Sequence, residues 1–138
     1  MNSHTSNLEV PSSILRLIDA NLNRLREGIR VVEDIRRYCF NDKEKATLLK
    51  NLRHKVRIDG CFEKLLASRN IVHDVLKTST KSEKSRKDLI SVQIANIKRA
   101  QESARVLEES LKLHDEDMAQ KFKDIRYELY NIEMQLLL

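Results

Sequence analysis

The sequence has little of what a β-rich or metal-built protein needs. Two Gly and one Pro in 138 residues leave few turn formers for an all-β fold. Trp is absent and aromatics make up 4%, so a core must come from Leu, Ile, Val and Ala. The two cysteines, Cys39 and Cys61, form no metal-ligand spacing, and a single pair is no disulfide framework. They are expected as reduced thiols in a cytoplasmic protein. His4, His54, His73 and His114 are scattered, which argues against a zinc site. No apolar run approaches the roughly 20 residues that span a bilayer. The start, MNSHTSNLEV, lacks the charged head and apolar middle of a secretory signal. There is no Gly-rich phosphate loop, no GxGxxG and no Ser/His/Asp ordering. Basic residues are not interleaved with aromatics, so nucleic acid is not an expected partner, and neither is a membrane.

What remains is charge and helical periodicity. Charged residues reach 34% and the formal charge is +5, a balance that suits anionic partners or a solubilising surface. The length suits one domain. Residues 1–11 are expected as a flexible leader and 12–138 as a single helical domain. Leu15, Ile18, Leu22, Leu25, Ile29 and Val32 recur at steps of three and four, which predicts a helix from Ser12 to about Phe40. Ser12 or Ser13 is the expected cap. Asn41-Asp42 breaks and recaps the chain. A second helix carries Leu48, Leu49, Leu52 and Val56, and CFEKLLASR adds a third segment after Gly60. Residues 69–87 lose periodicity and are expected as a loop, mobile over 77–87. Within it, Thr78, Ser79 and Thr80 beside Lys77, Lys81 and Lys84 are either phosphate contacts or a solvated surface. Helix returns near Asp88, and a last seam runs Met118, Phe122, Ile125, Leu129, Ile132, Leu136.

The chain repeats itself. Asn21, Arg24, Glu27, Arg30 and Glu33 recur 75 positions later as Asn96, Arg99, Glu102, Arg105 and Glu108. LLKNLRHKV (48–56) likewise resembles KFKDIRYEL (121–129), with Arg53 matching Arg126. The repeat, about 14–58 and 89–134, predicts an all-α bundle of two pseudo-twofold-related αα-hairpins joined by a loop. On a helical wheel Leu22, Leu25, Ile29 and Val32 centre about 60° from Asn21, with Arg24, Gly28 and Val31 on its other flank. Gly28 and its equivalent Ser103 leave room for close approach. Arg30 and Glu33 are expected on the far side, joined with Glu27 as ordinary ion pairs three residues apart. A guanidinium beside a core seam needs a fixed anion. Arg24, Arg99, Arg53 and Arg126 converging on the pseudo-axis would therefore suit phosphate. Asp19, Glu27, Glu102 and Asp74 are candidate magnesium ligands or proton acceptors.

These motifs in this order — DANLNRLREGIRVVED, LRHKV, LLASR, ANIKRAQESARVLEE and FKDIRYELYNIE — resemble the small helical domain that precedes thiamine-phosphate synthase in bacterial fusion proteins. That family is regarded as a monofunctional hydroxymethylpyrimidine phosphate kinase. The resemblance covers residues 14 to about 136. It implies ATP and Mg²⁺ as cofactors and a phosphorylated pyrimidine as substrate, converted to its diphosphate in thiamine biosynthesis, with thiamine-phosphate synthase as a partner. On that basis Arg24, Arg53, Arg99 and Arg126 are expected on phosphates. Arg69 is expected with them, because it matches the family's Arg-Asp-Thr segment. Glu27, Glu102 and Asp74 are expected as catalytic groups that hold the metal. Asn21 and Asn96 are expected on the aminopyrimidine edge or orienting an arginine. Asn70 and Leu76 depart from the family pattern, standing where an acid and a Gly are expected. The alternative is a non-catalytic helical module that binds a thiamine precursor or pairs with the synthase. A generic helical interaction domain would instead pair the same arginines with carboxylates. A homodimer is left open by both readings.

Overall fold

The computed structural model describes residues 8–80 and 86–138. Lys81 and Lys84 fall outside the described residues. Five α-helices account for most of the described chain, and it contains no β-strand. They are α1 (Ser12–Asp34), α2 (Lys43–Lys55), α3 (Phe62–Ser68), α4 (Leu89–Leu111) and α5 (Glu116–Leu137). The first long helix is not uniform: α1 runs into a π-helical turn, Ile35–Cys39.

The apolar seams meet as their spacing requires. Ile18, Leu25, Ile29, Val32, Leu49, Leu52, Ala100, Leu107, Phe122 and Leu129 are buried in one cluster. α1 packs chiefly against α4, α4 against α5, and α2 against α1. Arg36, just past α1, donates to Gln93 near the start of α4 at 2.7 Å, and mid-α1 Gly28 lies against Asn96 and Ala100. The two long helices are therefore antiparallel. A Cβ on Gly28 would stand 3.0 Å from the Asn96 carbonyl oxygen, so the expected close approach is made here. The packing is compatible with two facing hairpins.

Side-chain contacts follow the repeat. Asn21 Nδ2 donates to Leu17 O at 2.9 Å, and Asn96 Nδ2 to Val92 O at 2.8 Å. Asp42 caps α2 by accepting from Lys45 N, and Asp115 caps α5 by accepting from Met118 N. The halves differ where α2 ends. Arg26 donates twice to Val56 O, at 3.0 and 3.2 Å, and satisfies a carbonyl at the helix terminus. Gly60 then turns the chain with φ 87°. In the second half Gln101 stands at the position of Arg26, and α5 continues to Leu137.

Three expectations are corrected. No side chain caps α1: Pro11 holds the N-cap position, and neither Ser12 nor Ser13 serves. Leu8 is buried and Val10 packs on the core, so the packed body reaches back into the stretch expected as leader. Glu33 does not lie on the far side of α1. It is 2% exposed and borders the seam. Arg30 pairs instead with Asp34, and Arg105 with Glu109, four residues on, where helix neighbours align.

Candidate functional site

The inward turn of Glu33 decides what Arg53 does. Arg53 Nε and Nη2 lie 2.7 and 3.2 Å from the two Glu33 carboxylate oxygens. The repeat makes the same pair a second time. Arg126 reaches Glu108 Oε1 at 2.8 and 3.2 Å, and the Tyr130 hydroxyl at 3.1 Å. Hydrogen bonding to Glu33 raises Arg53 above its usual pKa, and contacts to Tyr130 and Glu108 raise Arg126. Both guanidinium groups tie the second helix of a repeat to its first, α2 to α1 and α5 to α4. Convergence of four arginines on the pseudo-axis is therefore not what these two do. The side chains that needed fixed anions at the core were Arg53 and Arg126, whereas Arg24 and Arg99 are exposed.

A separate polar groove of about 410 Å³ runs along the first half of α1 under residues 69–74. It brings together Asn21, Arg24, Arg69 and Asp74 from two stretches far apart in sequence. Ser13, Leu17, Ala20 and Arg24 recur at helical spacing along its floor, which is why one face of α1 supplies it. The roof is held by two arginines. Arg69 makes a bidentate pair with Asp19, at 2.8 and 2.9 Å, and Arg16 donates to Asn70 O at 3.0 Å. Hydrogen bonding to Asp19, with the charges of Asp19 and Glu27, raises the Arg69 pKa. Asn70 Oδ1 accepts from His73 N at 3.1 Å, and Asp74 Oδ1 from Leu76 N at 3.0 Å. The segment is thus folded on itself by local side-chain turns.

With those bonds made, the groove has one uncommitted guanidinium. Arg24 forms no ion pair with a described carboxylate. Asn21 is buried, and its Nδ2 donates one of its two hydrogens to Leu17 O, which leaves Oδ1 and the second N–H for other contacts.

The other expected site residues lie elsewhere. Arg53, Asn96, Arg99, Glu102 and Arg126 do not line this groove, nor does Glu27, although its charge reaches Arg69. Glu27, Arg99 and Glu102 are exposed. Among the described residues no three His, Cys, Asp or Glu side chains are close enough to hold a metal ion together. Glu27, Glu102 and Asp74 are therefore not a ready-made triad, because α1, α4 and the 69–76 segment carry them apart. Arg16 and Asn23, which also line the groove, carried no expectation. The signal for them was their place on the same side of the α1 wheel as Arg24.

The ThiD2 family matches residues 16–135. The chain belongs to it. The chain is 36% identical over 138 residues to a thiamine-phosphate synthase of Prochlorococcus marinus (strain AS9601), covering 99% of this chain and 39% of that protein. It is 38% identical over 128 residues to the thiamine-phosphate synthase of Synechocystis sp. (strain ATCC 27184 / PCC 6803 / Kazusa), covering 92% and 37%. The thiamine-phosphate synthase of Rhodopirellula baltica matches at 38% identity over 123 residues, covering 86% and 32%. The chain thus spans well under half the length of these relatives. No solved structure matches it. No described helix is long and apolar enough to cross a membrane.

Proposed function

We propose that this ThiD2 chain acts in thiamine biosynthesis as a kinase, transferring a phosphoryl group from ATP to hydroxymethylpyrimidine phosphate to give the diphosphate and ADP. The observation that carries the proposal is the groove: it joins Asn21, Arg24, Arg69 and Asp74, four residues of the family motifs, on one surface. Arg24 holds the acceptor phosphate, for which a planar, permanently charged fork is suited. Asn21 Oδ1 accepts from the amino group of the pyrimidine while Nδ2 stays on Leu17 O. Arg69, locked to Asp19, acts by fixing the 69–74 roof.

The residues also fit Mg·ATP. Magnesium is commonly held by one or two carboxylates plus substrate phosphates, so no protein triad is needed. Asp74 keeps its Oδ2 beyond the bond to Leu76, and it faces the groove lining. We assign Arg99, Glu102 and Glu27, exposed and without ion pairs among the described residues, to the nucleotide end. When bound, Mg·ATP supplies the phosphoryl group and neutralises developing charge. The accepting phosphate is ionised at neutral pH, so the chain needs no strong general base and its contribution is positioning.

A second reading rests on one observation. Asn70, where the family pattern differs, lines the same groove, and Leu76, the other departure, follows Asp74 and donates its N–H to it, which favours a relative that binds the pyrimidine without turnover. The two are separated by mixing the chain with Mg·ATP and hydroxymethylpyrimidine phosphate, and measuring ADP and the diphosphate directly. The kinase forms both in equal amounts, dependent on the pyrimidine. Binding without either product, beside an active family member, gives the second reading.

A further inference from the structure

The two repeats are not equally long. Glu33 and Arg53 are 20 residues apart, whereas their equivalents Glu108 and Arg126 are 18 apart. The two extra residues fall at the turn between α1 and α2. There the chain forms the π-helical turn Ile35–Cys39 and places Asn41 at φ 51°, in the left-handed region. Both are uncommon backbone states. The second repeat passes directly from Leu111 to Glu116 and packs its helices without them. Packing alone therefore does not require the irregular turn.

What the turn builds is a cavity of about 330 Å³, lined by Glu33, Arg37, Asn41, Lys43, Thr47 and Lys50, with Ala46. The carboxylate of Glu33 is already neutralised by Arg53. Arg37, Lys43 and Lys50 form no ion pair with a described carboxylate. Arg37 rests on the Tyr38 ring at 4.9 Å. The repeat-equivalent positions are Lys112, Glu116 and Lys123. Of these Lys112 is held by Glu109 and Glu108, and Glu116 reverses the charge. The concentration of cations belongs to the first repeat, as does the irregular turn.

We infer that this cavity is an anion site that takes a phosphate group. Three cations around one compact cavity, facing no free carboxylate, match a small multiply charged anion. The site is separate from the groove. Asn21 and Arg37 are 16 residues apart, roughly 24 Å along a helix, too far for phosphoryl transfer between the two. The cavity therefore binds rather than reacts, and its occupant stiffens the α1–α2 turn. The inference does not depend on the kinase proposal.

The test is a titration of the full chain with inorganic phosphate at constant ionic strength, followed by backbone amide NMR shifts. Wild type is compared with Lys43→Glu, which copies the second repeat, with Lys50→Ala and with Arg24→Ala. The inference expects saturable shifts across residues 37–50. The affinity should fall by about tenfold in Lys43→Glu and several-fold in Lys50→Ala, and stay unchanged in Arg24→Ala. ADP titrated against the same resonances identifies the source: tighter binding than phosphate assigns a nucleotide, equal or weaker binding the free anion. Absence of saturable shifts, shifts confined to residues 13–24, or affinities equal in wild type, Lys43→Glu and Lys50→Ala would overturn it.

Discussion

Glu33 and Glu108 are the residues on which most of the charged chemistry turns. Each is a buried carboxylate with an arginine across a helix interface, so removing the arginine leaves an unpaired charge in the core. Arg53→Ala should lower stability by about 3–5 kcal/mol, the range for breaking a buried pair. Arg126→Ala should cost less, because Lys112 remains 3.8 Å from Glu108, whereas among the described residues no second cation stands in ion-pair contact with Glu33. Urea unfolding of the two variants checks the order, and an equal loss would contradict it. These pairs also bear on what was legible in the sequence. The 75-residue series was visible, and at a step of about 100° per residue Glu33 falls about 60° from the centre of the apolar stripe, as near as Asn21, so its burial was legible in the spacing and the far-side expectation was not what the wheel gives. Asn21 was legible as a seam-bordering group because it falls beside an unambiguous apolar stripe, whereas Arg24, expected there too, is exposed. Arg37, Lys43 and Lys50 were not legible, because a π turn breaks the periodicity that would have aligned them.

At the scale of the helix, the α1–α4 contact and the caps decide stability. A side chain at Gly28 meets a backbone carbonyl that cannot rotate away. Gly28→Val should destabilise by about 1–3 kcal/mol, since the helices must part. Thermal unfolding measures it, and an unchanged midpoint would show that α4 yields easily. Asp42 gives a pH dependence. Burial acts to raise its pKa, but the amide of Lys45 and the charges of Lys45 and Arg36 outweigh it, and the net shift is downward from 3.8. A carboxylate depressed in the folded state contributes stability fully above its unfolded pKa, and loses it as pH falls through the folded value. The melting temperature should therefore drop as pH is lowered below about 4, and Asp42→Asn should flatten that part of the profile. An unaltered slope in the variant would assign acid sensitivity to other carboxylates. Helix boundaries were mostly legible, because seam and breaker coincided at Asn41-Asp42 and Asp88. The end of α2 was not, because it depends on Arg26 reaching a carbonyl 30 residues away.

Across the whole molecule the repeat provides symmetry and the site departs from it. The frame is made twice: two Arg–Glu pairs, two Asn side chains bonded to the preceding turn, and an Asp cap on the second helix of each repeat. The groove is made once, because only the first long helix is covered by the 69–74 segment. A site on the pseudo-axis was the natural expectation from a twofold repeat, yet the segment that breaks the repeat is what assembles Asn21, Arg24, Arg69 and Asp74. Its position was not legible, since nothing in residues 69–80 is periodic. The central claim is that this groove, through Arg24, performs phosphoryl transfer. The most direct measurement is kcat/KM for hydroxymethylpyrimidine phosphate with Mg·ATP, in wild type and Arg24→Ala, with melting temperatures recorded for both. The account predicts a fall of about a hundredfold or more with stability unchanged within about 0.5 kcal/mol, since Arg24 is exposed and makes no ion pair in the fold. Turnover in Arg24→Ala equal to wild type would contradict it.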